Sequence, residues 1–136
     1  MTDAINYIQS IFTERAIAAG NLSKEEIRLA HDITREAREA VTVADEEARN
    51  GFTAQGLAIT NRDSEAARKL ATIAVWHYER AARKYHEAIE WFGQAAKLWP
   101  QAKRVKLMKY EAKEMDARAG QAESAVRFLN DFLTQN

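Results

Sequence analysis

The sequence predicts an all-α fold, an elongated antiparallel bundle of four helices, or five if residues 52–60 form one of their own. Three observations carry that expectation. Apolar and small residues recur at alternating steps of three and four in three long segments: Ile27, Ala30, Thr34, Ala37, Val41, Ala44 and Ala48; Leu70, Ala74, His77, Ala81, Tyr85, Ala88, Phe92, Ala95 and Trp99, with one irregular step; and Val105, Met108, Ala112, Met115, Ala119, Ala122, Val126, Leu129 and Leu133. A period near 3.5 puts each set along one side of a helix that can lie beside another at a shallow angle. Five Gly and one Pro among 136 residues leave few positions marked for turns. Start and stop signals fall between the stripes rather than within them.

Each element follows from those signals. Thr2 can cap a helix over 3–19, with Ile5, Ile8, Ile11 and Phe12 on its buried side, and Gly20-Asn21 stops it. Ser23 and Glu26 form a capping box, so a second helix is expected from Lys24 to Arg49, ending at Asn50-Gly51. From Gly51 to Asp63 the period fails, and a short helical turn covering part of 52–60 is expected there. Asp63 or Ser64 opens a third long helix, supported by the Glu65–Lys69 and Glu79–Arg83 pairs one turn apart. It is expected to run to about Leu98, because Pro100 cannot continue it and biases Trp99 away from helical angles. Pro100 suits the first turn of a last helix over about 101–133, antiparallel to its predecessor.

Composition bounds the rest. One domain spanning 1–136 is expected, with a core that needs no staples. Twenty basic side chains balance twenty acidic ones, so no global field favours nucleic acid or an anionic membrane. The halves differ, with 8 basic and 12 acidic groups in 1–68 against 12 and 8 in 69–136. The absence of cysteine removes disulfides and thiolate chemistry and suits a reducing compartment. No apolar run reaches the roughly 18 residues of a membrane span, and no leader pattern opens the chain, so the cytoplasm is the expected location.

The chemistry-bearing residues point away from catalysis. His77 falls on the core stripe, where an imidazole satisfied by a neighbour is the expected state. His86 and Glu90 stand one turn apart, yet there is neither a Glu-x-x-His nor a His-Glu-x-x-His motif to complete a metal site. Glycine-rich phosphate loops and nucleophile elbows are absent too. Glu46 and Glu47, beside Asp45 and Arg49, read as a solvated face. No enzyme activity, cofactor or metal is expected. Arg80, Arg83 and Lys84 on one helix and Lys103, Arg104, Lys106, Lys109 and Lys113 on the next form a basic cluster that a hairpin at Pro100 could bring together. Trp91, turned about 100° from the core residue Phe92, adds an apolar anchor on a second face.

Residues 85–100 resemble the second helix of a tetratricopeptide unit, with Ala88, Phe92 and Pro100 at its Ala-x-x-x-Phe and Pro positions. Thr72, Val75, Trp76 and Glu79 depart from the first helix of that pattern, and Arg83-Lys84 lacks its small turn residue. Residues 113–119, Lys-Glu-Met-Asp-Ala-Arg-Ala, resemble the end of the third helix of MIT domains. Both resemblances imply a groove between helices that receives a partner's tail, and neither implies catalysis. The functional expectation is a non-enzymatic adaptor or inhibitor module binding another protein, one offering an acidic or helical segment, through Arg80, Arg83, Lys84, Trp91, Lys103, Arg104, Lys106, Lys109 and Lys113. Self-assembly as a homodimer or structural bundle is the first alternative, and a nucleic-acid-associated role for the basic residues between 80 and 113 the second.

Overall fold

A computed structural model describes residues 22–135, which form three α-helices: α1 (Leu22–Thr60), α2 (Ser64–Leu98) and α3 (Ala102–Gln135). The all-α class is as expected, but the number of helices is not four or five among the described residues. The helix expected over 3–19 lies outside them. The segments expected as a helix over 24–49 and a separate turn in 52–60 are one continuous helix of 39 residues.

Gly51 explains that difference. Asn50-Gly51 reads as a stop, but Gly51 is buried inside α1 and has no positive φ. A Cβ built there would lie 3.1 Å from Cγ and Cδ2 of the Tyr78 ring. Glycine is present because an aromatic ring of α2 rests against the α1 backbone. The 3.5-period stripe in fact runs on through it, with Ala44, Gly51, Ala54 and Ala58 all buried. Gly51→Leu should therefore cost about 1–3 kcal/mol by overpacking. Gly56→Ala, with nothing within 4 Å of the new carbon, should gain up to about 1 kcal/mol of helix propensity. Urea midpoints of the two variants, moving in opposite directions, check both.

The turns obey local chemistry. Asp63 caps α2 by accepting the Glu65 N–H at 3.1 Å, and its own N–H donates to Asn61 Oδ1 at 3.0 Å. Trp99 leaves the helix with φ −64° and ψ 124°, still donating its backbone N–H to Ala95 O, as a residue before proline should. Pro100 sits just outside α3 rather than in its first turn, since Gln101 O accepts the first helical N–H groups, from Arg104 and Val105. α2 passes through Arg83-Lys84 without a break.

α2 is the central rod. α1 and α3 each pack along it, antiparallel to it, and barely meet one another. On the α1 side the seam is alanine against alanine: Ala30, Ala37, Ala44 and Ala58 from α1, Ala74, Ala81, Ala88 and Ala95 from α2. Residues without a side chain beyond Cβ bring the backbones to the short end of the 8–10 Å helix spacing. The α3 seam mixes Ala119 and Ala122 with the bulkier Met108, Met115 and Leu129. Down the middle of α2 runs a row of aromatics seven residues apart, Tyr78, Tyr85, Phe92 and Trp99, every one buried. Ala71 and Tyr78, not Leu70 and His77, hold the core positions, which removes the irregular step from the stripe. This spine fills the space between α1 and α3 and holds them apart.

Candidate functional site

Between α1 and α3 lies an open trough in two separate stretches, one floored by Trp99 and the other by Tyr78 and Tyr85, with the Arg118–Asp45 pair crossing from wall to wall. In its first stretch, of about 490 Å³, His31, Thr34, Arg35, Arg38, Glu39 and Thr42 of α1 face Arg104, Leu107 and Met108 of α3 across Trp99. Its second stretch, of about 620 Å³, is walled by Asp45, Arg49 and Phe52 on α1 and by Arg118, Gln121 and Ala125 on α3, over Tyr78 and Tyr85.

Each polar tip of the spine is tied to a wall. Trp99 Nε1 donates to Thr34 Oγ1 at 3.1 Å, and the Thr34 hydroxyl donates in turn to Ala30 O at 2.7 Å. The Trp99 ring takes the edge of His31, with centroids 4.7 Å apart, and the Arg104 guanidinium 4.4 Å above its face. Tyr85 donates to Asp45 Oδ1 at 2.5 Å, and Arg118 Nη1 reaches both Asp45 oxygens at 3.1 and 3.2 Å. That triad spans all three helices. Tyr78 donates to Gln55 at 2.7 Å. Burial first, then the Asp45 carboxylate, pushes the Tyr85 phenol well above the usual tyrosine range, and burial alone raises Tyr78.

Two large apolar side chains reach solvent among the charged and polar residues that line the trough. Phe52 is 71% exposed and Leu107 42%. Phe128, one heptad beyond Gln121 in the same row of α3, is 51% exposed.

The structure separates the residues the sequence grouped. His86 Nε2 pairs with Glu123 Oε1 at 2.9 Å, so in the antiparallel hairpin Arg80, Arg83 and Lys84 lie opposite residues after Glu123. Lys103, Arg104, Lys106, Lys109 and Lys113 stand at the other end, beside the Pro100 turn. At about 1.5 Å per residue, the ten residues from Lys113 to Glu123 alone are some 15 Å. The basic cluster is therefore not one patch. Only Arg104 of the nine lines the trough; Lys103, Lys106, Lys109, Lys113 and Arg83 are exposed elsewhere. Lys84 pairs with Glu87 at 3.1 Å. Trp91 is not a surface anchor: it is 3% exposed, and its Nε1 has no hydrogen-bond partner among the described residues.

Other expectations shift for the same reason. His77 lies beside the core rather than in it, its Nδ1 2.7 Å from Glu47 Oε2. Arg80 Nε approaches Glu47 Oε1 at 3.3 Å, off the line of a hydrogen bond, while its guanidinium covers the exposed Trp76 ring. The hydrogen bond with His77, and then Arg80, hold the Glu47 carboxyl below its ordinary range against the opposing effect of burial. Of the pair read as a solvated face, Glu46 is exposed but Glu47 is an interhelical tie, as is Asp45. His86 meets Glu123 rather than Glu90. No cluster of three or more His, Asp or Glu side chains suited to a metal ion occurs among the described residues, and no helix among them is long and apolar enough to cross a membrane. Sequence reasoning missed Arg35, Arg38, Arg49, Phe52, Leu107, Arg118 and Phe128; a signal lay in α1, where Arg38, Asp45 and Phe52 repeat every seven residues just beside the alanine stripe. Neither family models, curated proteins nor solved structures provide a match for this chain.

Proposed function

We propose that this protein is a non-enzymatic interaction module that binds another protein in the trough between α1 and α3. The observation that carries this reading is the exposure of Phe52 and Leu107 in the cleft between α1 and α3, which pack on α2 and make few contacts with each other beyond the Arg118–Asp45 pair. A helix laid in such a cleft buries its apolar face against both walls at once and completes a four-helix arrangement. The trough's tyrosines and Asp45 support the same reading, because their polar atoms are spent on tying the three helices together.

A photo-crosslinking residue placed at position 52 in the protein's own cells tests it. Covalent capture of a different protein at 52, lost on Phe128→Asp and absent when the crosslinker replaces Arg83 on the outer face, is the expected result. Crosslinks to a second copy of the chain alone, with a dimer mass by light scattering, would turn the reading to self-assembly.

A further inference from the structure

A second surface lies outside the trough and does not depend on it. At about 100° per residue, Lys103, Lys106, Lys109, Tyr110 and Lys113 fall within one arc of about 120° on α3, opposite the core residues Met108 and Met115. All five are exposed, Tyr110 at 58%. None of the four lysines has an ion-pair partner among the described residues. The charge excess survives a full count. Residues 96–116 hold six cations against Glu111, Glu114 and Asp116. Glu111 and Glu114 are half-buried on the trough side of α3, in the row of Leu107 and Arg118. Asp116, one heptad before Glu123, stands on the flank facing α2. The α2 residues alongside, 94–100 by the register of the His86–Glu123 pair, add Lys97 and no carboxylate.

The position of these lysines works against the fold. The first turns of α1 and α2 carry Glu25 and Glu65, whereas that of α3 carries no acid and has Lys103 and Arg104 instead. Positive side chains at the positive end of a helix dipole destabilise it, so a pattern serving only solubility would place acids there. An anion on this face relieves that repulsion and draws on the dipole as well as on the lysines.

The tyrosine among the lysines selects the kind of anion. Tyr110 stands one turn after Lys106 and one before Lys113, and no other ring or guanidinium stacks on it among the described residues. A duplex keeps its bases stacked on each other and offers such a ring only phosphates. A membrane surface needs a row of large apolar side chains beside the cations, where this arc offers one tyrosine. A single strand meets both features, with phosphates for the lysines and an unpaired base for the ring.

We propose that the outer face of α3 between Lys103 and Lys113 binds single-stranded nucleic acid without reading its sequence. The four lysines track the sugar–phosphate backbone over about 15 Å, and Tyr110 stacks on one base.

Fluorescence anisotropy of a labelled uridine 20-mer with the full chain tests this. The dissociation constant should be on the order of micromolar at low salt, and log affinity should fall against log salt with a slope of about −3, each of four lysines displacing counterions. K106E/K109E should abolish binding, Tyr110→Ala should weaken it about tenfold, and Tyr110→Phe should retain it. R38E/R49E, in the trough, should leave it unchanged. Each altered side chain is exposed, so circular dichroism should report the same helix content throughout. Absence of binding at low salt, or binding that survives K106E/K109E, overturns the proposal. A duplex that binds as tightly as the single strand, with no effect of Tyr110→Ala, overturns the single-strand assignment. Sedimentation with phosphatidylserine vesicles that is lost in K106E/K109E, where the oligonucleotide does not bind, assigns the face to a membrane surface and overturns the proposal.

Discussion

Replacing Trp99 with alanine should remove about 3–5 kcal/mol of stability, a large share of the 5–15 kcal/mol that holds a domain of this size folded. Trp99 is 5% exposed and is the last member of the aromatic spine. It fills the corner where α2 ends and α3 begins, between Thr34, His31 and Arg104. The neighbours that line the resulting cavity are anchored in α1 and α3, so they cannot collapse onto one another without moving a backbone. Thr34 keeps its bond to Ala30 O, which limits the polar part of the loss. Trp99→Phe, retaining a ring but no N–H, should therefore cost only about 1–2 kcal/mol. Urea denaturation of the two variants separates cavity from hydrogen bond. A loss below about 1 kcal/mol for the alanine variant would mean that the spine does not hold α1 and α3 apart.

The spine also shows which parts of the molecule were legible in the sequence. The 3.5-residue period is a property of each helix alone, so the three stripes could be read directly, and their buried faces are where the period placed them. Gly51 was misread because its local signal, Asn-Gly, is that of a helix end; only the Tyr78 ring, 27 residues away in the chain, requires a glycine there. His77 and Tyr78 are adjacent, and the choice of which enters the core depends on Glu47 of another helix offering the imidazole a partner. Asp45 and Glu47 sit in a run of charges that looks solvated until α2 and α3 close on them. The trough was the least visible feature. It arises from the spacing of α1 and α3, which no single helix encodes, although its cause, an aromatic every seventh residue of α2, was in view. Arg38 and Arg49 were passed over because each stands among acidic residues in the chain, in a segment that reads as uniformly solvated. Conversely, the conspicuous lysines of α3 are close in sequence and mostly point away from the cleft.

Alkaline pH should weaken the fold through the same spine. The folded-state pKa values of Tyr78 and Tyr85 are raised above the ordinary value of 10.0, so the folded chain holds two phenolic protons that the unfolded chain releases. The stability tied to those protons is fully present below pH 10 and is lost as pH rises above it. Each tyrosine contributes a slope of at most about 1.4 kcal/mol per pH unit until its folded form also ionises. Tyr85 carries the larger effect, because ionising it would place a phenolate against the Asp45 carboxylate, with Arg118 offsetting only part of the repulsion. Tyr85→Phe isolates this contribution, since lysine titration is common to both proteins. At pH 8 the wild type should be the more stable by about 1 kcal/mol, the worth of the hydrogen bond to Asp45. By pH 11.5 the wild type should have lost about 2 kcal/mol that the phenylalanine variant keeps, so the two stability curves cross between those values. Parallel curves over that range would show that the Tyr85 hydroxyl reaches solvent, and that the three-helix tie at Asp45 is open.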